Sequence, residues 1–169
     1  MLFTGAAVVM GVASCGKTTL GVAMAERLKA SFIEGDKLHT PENVAKMSKG
    51  VPLTDDDRWP WLERVGETLA GANGAIASCS ALKKIYRDRI TEKARRPVAF
   101  LLLHGEKTLL QRRIAKRKGH FMPPSLLHSQ LAALEIPGPD ENALIIDIAL
   151  PIEAQVQQAV KFLMKDHNL

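Results

Sequence analysis

Short apolar runs alternate with helical patterns along the whole chain, which has 169 residues. The apolar runs predict five strands, at residues 5–10, 31–34, 75–79, 98–103 and 143–148. Between them, apolar residues recur at helical spacing over 16–29, 41–48, 55–70, 83–95, 106–118, 125–135 and 152–165. Apolar strands separated by helices are typical of a parallel sheet that is covered on both faces. The pattern therefore predicts an α/β fold of three layers, with a five-stranded parallel sheet between two helix layers.

The turn after the first strand has the residues of a phosphate-binding loop. It reads Gly11-Val12-Ala13-Ser14-Cys15-Gly16-Lys17-Thr18, and Thr19 follows at the start of a helix. Glycines let the backbone wrap a polyphosphate, so that successive N–H groups and the helix N-terminus face the anion. In this pattern the lysine, Lys17, reaches the β- and γ-phosphates, and the hydroxyl of Thr18 ligates Mg²⁺. The loop therefore predicts that residues 11–19 bind a nucleoside triphosphate.

Polar residues follow the second and third strands, at the edge of the sheet where ligands of this fold lie. Asp36 follows the second strand and Ser80 follows the third. A carboxylate near a phosphate loop suits two tasks, deprotonating an attacking hydroxyl or holding Mg²⁺ through water. A purely structural role as a turn cap is the alternative. No Asp or Glu ends the third strand, so Asp36 is the nearest candidate carboxylate for the metal.

Two pairs of basic residues have the i, i+4 spacing that places both members on one helix face. Lys83 and Arg87 lie near a predicted helix start, where cations oppose the dipole, so they suggest an anionic ligand. The alternative is a solvated basic face. Arg113 and Arg117 precede a break at 119–124 and a further helix. This helix–loop–helix predicts a lid that closes over the γ-phosphate and excludes water, or else a basic surface hairpin.

Composition argues against two kinds of partner, nucleic acid and membrane. The net charge of +5 is modest, and the eight aromatic residues (five Phe, two Trp, one Tyr) are not interleaved with basic ones, which argues against nucleic-acid binding. No segment approaches the roughly 20 apolar residues of a membrane span, so no membrane partner is expected. Cys15 and Cys79 have neither disulfide nor metal-ligand spacing. A thiol within the phosphate loop favours a reducing compartment, which predicts the cytoplasm.

Longer motifs resemble the small gluconate kinases (gluconokinases), which phosphorylate D-gluconate with ATP. The matching blocks recur in order over residues 6–160: Gly11-Val12-x-x-x-Gly16-Lys17, Gly35-Asp36-x-Leu38-His39, Pro52-Leu53-x-Asp55-Asp56-Asp57-Arg58-x-Pro60-Trp61-Leu62, Cys79-Ser80-Ala81-Leu82-Lys83-Lys84-x-Tyr86-Arg87-Asp88 and Arg117-Lys118-Gly119-His120-Phe121. The third and fourth blocks are more specific than the phosphate loop. One departure lies in the loop, where Ala13-Ser14-Cys15 stands in place of the usual Ser-Gly-Ser.

The resemblance implies a fold similar to shikimate and nucleoside-monophosphate kinases, with strand order 2-3-1-4-5. It implies one P-loop kinase domain over residues 1–169, with a helical lid inserted at about 112–136, and commonly a homodimer. The implied reaction uses ATP and Mg²⁺ and transfers the γ-phosphoryl group to the 6-hydroxyl of D-gluconate. Its product, 6-phospho-D-gluconate, enters the pentose phosphate or the Entner–Doudoroff route of sugar-acid catabolism.

The resemblance also implies roles for individual residues. Lys17 and Thr18 would bind the phosphates and Mg²⁺, and Asp36 would be the base. From their place on the basic lid, and not from the resemblance, Arg113 or Arg117 is expected to neutralise charge during transfer. The implied gluconate-binding residues are Asp36, His39, Arg58, Ser80, Lys83, Arg87 and His120. Two alternatives stay open: a kinase of the same fold for another small acceptor, such as shikimate or a nucleoside monophosphate, and a nucleotide-switched binding module.

Overall fold

Five parallel strands form the sheet of this protein. The computed structural model describes residues 1–117 and 124–165. Its strands are β1 (Ala6–Met10), β2 (Ser31–Glu34), β3 (Ala75–Ser78), β4 (Val98–His104) and β5 (Ala143–Asp147). They pair in the order β2-β3-β1-β4-β5, and every neighbouring pair is parallel. The predicted strand order and fold class are confirmed.

The helices lie within two residues of the predicted bounds. They are α1 (Lys17–Leu28), α2 (Pro41–Ser48), α3 (Asp55–Ala70), α4 (Lys84–Ala94), α5 (Lys107–Lys116), α6 (Pro124–Ala133) and α7 (Ile152–Met164). A 3-10 turn over Gly35–Leu38, which the periodicity did not predict, joins β2 to the segment before α2.

Alternate residues of β1 face opposite helix layers. Ala7 and Val9 pack in one cluster with residues of α1 and α7, whereas Val8 and Met10 pack in the other with residues of α3 and α4. All four side chains are fully buried. A central strand covered on both sides has no solvent face, which explains why its sequence is uniformly apolar.

The start of α3 is fixed by a capping box. The hydroxyl of Thr54 accepts the Asp57 N–H at 3.1 Å, and the Asp57 carboxylate accepts the Thr54 N–H at 2.9 Å. Lys46, on α2, donates to the same carboxylate at 2.8 Å. This ion pair, together with the Thr54 N–H, lowers the pKa of Asp57 to about 2. The box holds the first turn of α3 beside α2, and Arg58 follows it directly.

The ends of β2 and β3 approach each other so closely that only glycine fits between them. A Cβ on Gly35 would lie 1.8 Å from the carbonyl oxygen of Ser78. The Gly35 N–H donates to the Ser78 hydroxyl at 3.1 Å, and the Gly35 carbonyl accepts the Trp61 indole N–H at 2.8 Å. Gly35 therefore sets where the turn after β2 leaves the sheet.

We predict that Gly35→Ala lowers the free energy of unfolding by about 3 kcal/mol, because the added methyl must displace backbone of β3. The matched control is Gly71→Ala, where the nearest atom to an added Cβ is 3.8 Å away and φ is −80°. We expect this control to change stability by less than about 1 kcal/mol. Urea denaturation of both variants measures the difference, and equal effects would contradict the close approach.

Candidate functional site

Most of the predicted site residues line one cavity at the carboxyl end of the sheet. This main cavity has a volume of about 410 Å³. Its lining includes these residues from the predicted set: Ala13, Ser14, Gly16, Lys17, Thr18, Thr19, Asp36, His39, Ser80 and Arg117. A smaller side cleft contains Arg58 and shares His39, Met47, Trp61, Ser80 and Gln130 with the main cavity. The two spaces therefore adjoin.

The loop after β1 has a backbone that can wrap an anion. Gly11 has φ +140°, and a Cβ there would lie 2.7 Å from the Leu103 carbonyl oxygen. Ser14 has φ +62°, a left-handed conformation that costs a non-glycine residue about 1 kcal/mol. The ammonium group of Lys17 donates to the carbonyls of Gly11 at 3.1 Å and Val12 at 2.9 Å. Its charge therefore lies over the loop.

A carboxylate missed by the sequence analysis lies beside the loop. Thr18 donates its hydroxyl proton to Glu34 Oε2 at 2.6 Å, and the buried Ser78 donates to Glu34 Oε1 at 2.5 Å. Glu34 ends β2, where the register places it opposite Ser78 of β3. Strand alternation could have indicated this contact. Glu34 follows Phe32 by two residues, so both side chains lie on the same face of β2. Phe32 packs toward α1, and α1 also carries Thr18.

Hydroxyl and carboxylate oxygens are the ligands that Mg²⁺ prefers. Thr18 and Glu34 therefore fit the metal predicted for this loop, with Glu34 rather than Asp36 in contact with Thr18. Among the described residues, no group of three or more His, Cys, Asp or Glu side chains is placed to hold a metal ion. A metal at this loop thus needs phosphate or water oxygens to complete its coordination.

Asp36 presents an unengaged carboxylate to the main cavity. The side chain is exposed there, and no described residue forms a hydrogen bond or ion pair with it. Asp36 also acts on the buried thiol of Cys79. Burial, together with the negative charge of Asp36, raises the pKa of that thiol to about 12, and the positive charge of Lys17 opposes the rise. The carboxylate and the loop lysine therefore flank one small region at the end of β3.

His39 lines both spaces in its neutral form. Its ring stacks on Trp61 with centroids 3.9 Å apart, and its Nδ1 lies 3.3 Å from the Asn43 amide nitrogen. Burial and the nearby charge of Arg58 lower the pKa of His39 to about 4. Trp61 itself is buried in the core. It also forms part of the cavity wall.

Arg58 is held at the side cleft by a backbone carbonyl just before α3 and by Tyr86. One guanidinium nitrogen, Nη1, donates to the Leu53 carbonyl and to the Tyr86 hydroxyl at 3.3 Å. The hydroxyl of Tyr86 donates to Asp55, and burial together with this bond raises the pKa of Tyr86 to about 12. Within the described residues, Nε and Nη2 of Arg58 have no hydrogen-bond partner. These two N–H groups suit bidentate binding of a carboxylate.

The structure corrects the expectation that Lys83 and Arg87 form a pair of free cations for an anionic ligand. Arg87 is 1% exposed and forms two bonds with Glu141, Nε to Oε1 at 2.7 Å and Nη2 to Oε2 at 3.1 Å. Its Nη1 donates to the carbonyls of Ala81 and Leu82. Lys83 pairs with Asp55 at 3.4 Å. Neither residue lines the main cavity or the side cleft.

Arg113 of α5 and Arg117, which directly follows that helix, both contact the phosphate loop. Arg117 lines the main cavity, and its Nη1 donates to the Ser14 hydroxyl at 3.3 Å. Arg113 donates to the Cys15 carbonyl at 3.4 Å and the Ile148 carbonyl at 2.9 Å, and it does not line the cavity. Arg117 is therefore the better placed of the two to meet a phosphate. The predicted ligand His120 lies outside the described residues.

Gln130, on α6, also lies against the loop. Its Oε1 accepts the N–H of Ala13 at 2.7 Å, and the side chain lines both the main cavity and the side cleft. Sequence reasoning missed it because nothing in the helical pattern of 125–135 distinguishes this glutamine from a solvent-facing one.

No helix in residues 1–117 and 124–165 combines the length and the apolarity that a membrane crossing needs.

Several known proteins similar to this chain are gluconokinases. No protein-family model matches the chain. A gluconokinase from Gluconobacter oxydans is 49% identical over 81% of this chain and 79% of its own length, and the thermosensitive gluconokinase of Escherichia coli is 44% identical over 90% and 86%. The crystal structure of a gluconokinase from Sinorhizobium meliloti matches with a TM-score of 0.89 at 48% identity, covering 98% of this chain and 94% of that one.

We predict that Arg87→Met lowers the free energy of unfolding by about 3 kcal/mol, because it breaks a buried ion pair and leaves Glu141 without its partner. The control is Lys84→Met on the same helix, which breaks an exposed ion pair with Asp88 and should leave the free energy of unfolding nearly unchanged. Urea denaturation compares the two variants. Equal losses would contradict the structural role assigned to Arg87.

Proposed function

The chain belongs to the gluconokinase family, and we propose that it transfers the γ-phosphoryl group of ATP to the 6-hydroxyl of D-gluconate, giving 6-phospho-D-gluconate. The observation that carries this proposal is the carboxylate of Asp36, which no described residue engages and which lies in the same cavity as the phosphate loop. The side cleft beyond it holds the guanidinium of Arg58, whose Nε and Nη2 have no hydrogen-bond partner among the described residues. An acceptor with a hydroxyl at one end and a carboxylate at the other suits this arrangement.

The phosphate loop would hold the triphosphate of ATP through its backbone N–H groups and Lys17. Thr18 and Glu34 are the residues that would hold Mg²⁺, either directly or through water. When bound, the ion neutralises charge on the β- and γ-phosphates. Support for this assignment comes from the 2.6 Å contact between the Thr18 hydroxyl and the Glu34 carboxylate.

Phosphoryl transfer requires that the acceptor hydroxyl lose its proton as the new bond forms. Asp36 would accept that proton while O6 of the acceptor bonds to the γ-phosphorus and the bond to ADP breaks. The proton then leaves Asp36 to solvent. Lys17 and Arg117 would neutralise the negative charge that spreads over the transferred group. Both line the main cavity, which supports this pairing.

Recognition of the acceptor would rest on Arg58, with its carboxylate bound by Nε and Nη2. His39 and Ser80 lie between Arg58 and the phosphate loop, where neutral side chains suit the hydroxyl groups of a polyol. Lys83 would act indirectly, because it holds Asp55, which accepts from the Tyr86 hydroxyl that contacts Arg58. We leave Arg87 out of the acceptor site, since Glu141 and two carbonyls occupy its guanidinium.

Four further properties belong to the proposal. Residues 1–169 would form one kinase domain, and about 112–136 would act as a lid that excludes water during transfer. The protein would work in the cytoplasm, in line with the two free cysteines, Cys15 and Cys79. It would assemble as a homodimer, as members of this family commonly do.

We predict that Asp36→Asn lowers kcat with D-gluconate about 1,000-fold, because an amide cannot accept the hydroxyl proton. Binding of a non-hydrolysable ATP analogue should stay within a factor of about 3, since the phosphate loop is intact. Coupled detection of ADP release and calorimetry measure the two quantities. The matched control is Asp88→Asn, an exposed carboxylate on α4, which should leave kcat unchanged. An unaltered kcat in Asp36→Asn would remove this residue from the mechanism.

We predict that Arg58→Met raises KM for D-gluconate about 30-fold with a smaller change in kcat, because a charged hydrogen bond to the acceptor carboxylate is lost. The preference for D-gluconate over D-glucitol, which has a hydroxymethyl group in place of the carboxylate, should fall by a similar factor. Arg27→Met, at an exposed ion pair on α1, is the control. If Arg58→Met kept the wild-type preference for D-gluconate over D-glucitol, Arg58 would not be the residue that binds the carboxylate.

A further inference from the structure

Three neighbouring residues of the phosphate loop are each contacted by a side chain from the region of α5 and α6. Arg113 and Arg117 donate to the Cys15 carbonyl and the Ser14 hydroxyl. Gln130 differs from both, because it accepts a backbone N–H, that of Ala13, at 2.7 Å. Ala13 is part of the phosphate loop, so this bond ties the loop backbone to α6.

The position of Gln130 joins the two parts of the site. Five residues line both the main cavity and the side cleft, and four of them (His39, Met47, Trp61 and Ser80) belong to the segments around β2, α2, α3 and β3. Gln130 is the member contributed by α6. One side chain on that helix thus borders the phosphate loop and the cleft of Arg58 together.

The orientation of the Gln130 amide follows from its partner. An N–H group can only donate, so the atom that faces Ala13 is the oxygen, Oε1. The nitrogen, Nε2, then points away from the loop with two N–H donors. No described residue accepts a hydrogen bond from them. A half-buried amide with one end on the loop and two unused donors at the site is suited to bind hydroxyl or carboxylate oxygens.

We propose that Gln130 is a positioning residue that couples the acceptor to the phosphate loop. Its Nε2 binds an oxygen of the polyhydroxy acid, while Oε1 holds the Ala13 N–H and with it the loop conformation. This inference rests on the proposed function of the same site. Acceptor and nucleotide then strengthen each other's binding, because an occupied Nε2 restrains the amide in the position that the loop requires. By linkage the factor is the same in both directions.

The experiment measures that factor directly. Calorimetry gives Kd of a non-hydrolysable ATP analogue with and without saturating D-gluconate, for the wild type and for Gln130→Met, which keeps the length of the side chain and removes both polar atoms. We expect D-gluconate to tighten analogue binding about 5-fold in the wild type, as one hydrogen bond supplies. In Gln130→Met we expect the factor to fall to about 1 and KM for D-gluconate to rise more than kcat falls.

The control is His128→Ala, an exposed residue of the same helix that lines neither the main cavity nor the side cleft, and it should keep the wild-type factor. Analogue binding without acceptor should change less than about 3-fold in Gln130→Met, which shows that the loop is intact. A large loss there would overturn the inference, since Gln130 would then only support the loop. The inference would also be overturned if D-gluconate did not change the Kd of the analogue in the wild type, or if it changed that Kd equally in Gln130→Met.

Turnover of D-gluconate by the wild type separates this inference from the proposed function. If the wild type does not phosphorylate D-gluconate, both are overturned. If it does, and Gln130→Met keeps the wild-type coupling, the inference alone is wrong.

Discussion

The junction of β2, β3 and α1 is the constraint on which the rest of the site depends. Glu34 at the end of β2 accepts hydrogen bonds from Ser78 of β3 and from Thr18 at the start of α1. Gly35 follows with no room for a side chain against β3. These contacts bring the turn that carries Asp36 to the edge of the phosphate loop. A small displacement here would separate the candidate base from the phosphate that it must serve.

Basic residues at this edge of the sheet differ in role because their partners differ. Glu141 and two backbone carbonyls surround the guanidinium of Arg87, so it stabilises the fold. Arg58 uses one nitrogen, Nη1, to fix its position, and no described residue accepts a hydrogen bond from its Nε or Nη2. Within the described part of the chain, Lys17 contacts only carbonyls of the loop and the Cys15 sulfur, and phosphate oxygens can replace these contacts. The count of charges in a segment therefore says little about function until the partner of each charge is known.

Sequence periodicity predicted the sheet and the helices well, because buried parallel strands need continuous apolar runs and their helices need one apolar face. The phosphate loop and the place of Asp36 at the cavity were predictable, since each is local to a strand end. Arg87 was misjudged because its partner, Glu141, is 54 positions away in the chain. Gln130 was missed for the same reason, with 117 positions between it and Ala13. Contacts between distant segments depend on packing, which local patterns do not encode.

The identity of the product tests the central claim most directly. Incubation of the protein with ATP, Mg²⁺ and D-gluconate, followed by phosphorus NMR, distinguishes the possible fates of the γ-phosphoryl group. The account predicts one phosphomonoester per ADP formed, with its phosphorus signal split by the two protons of the primary carbon, C6. ADP accompanied only by inorganic phosphate, or a phosphate on a secondary carbon, would contradict it.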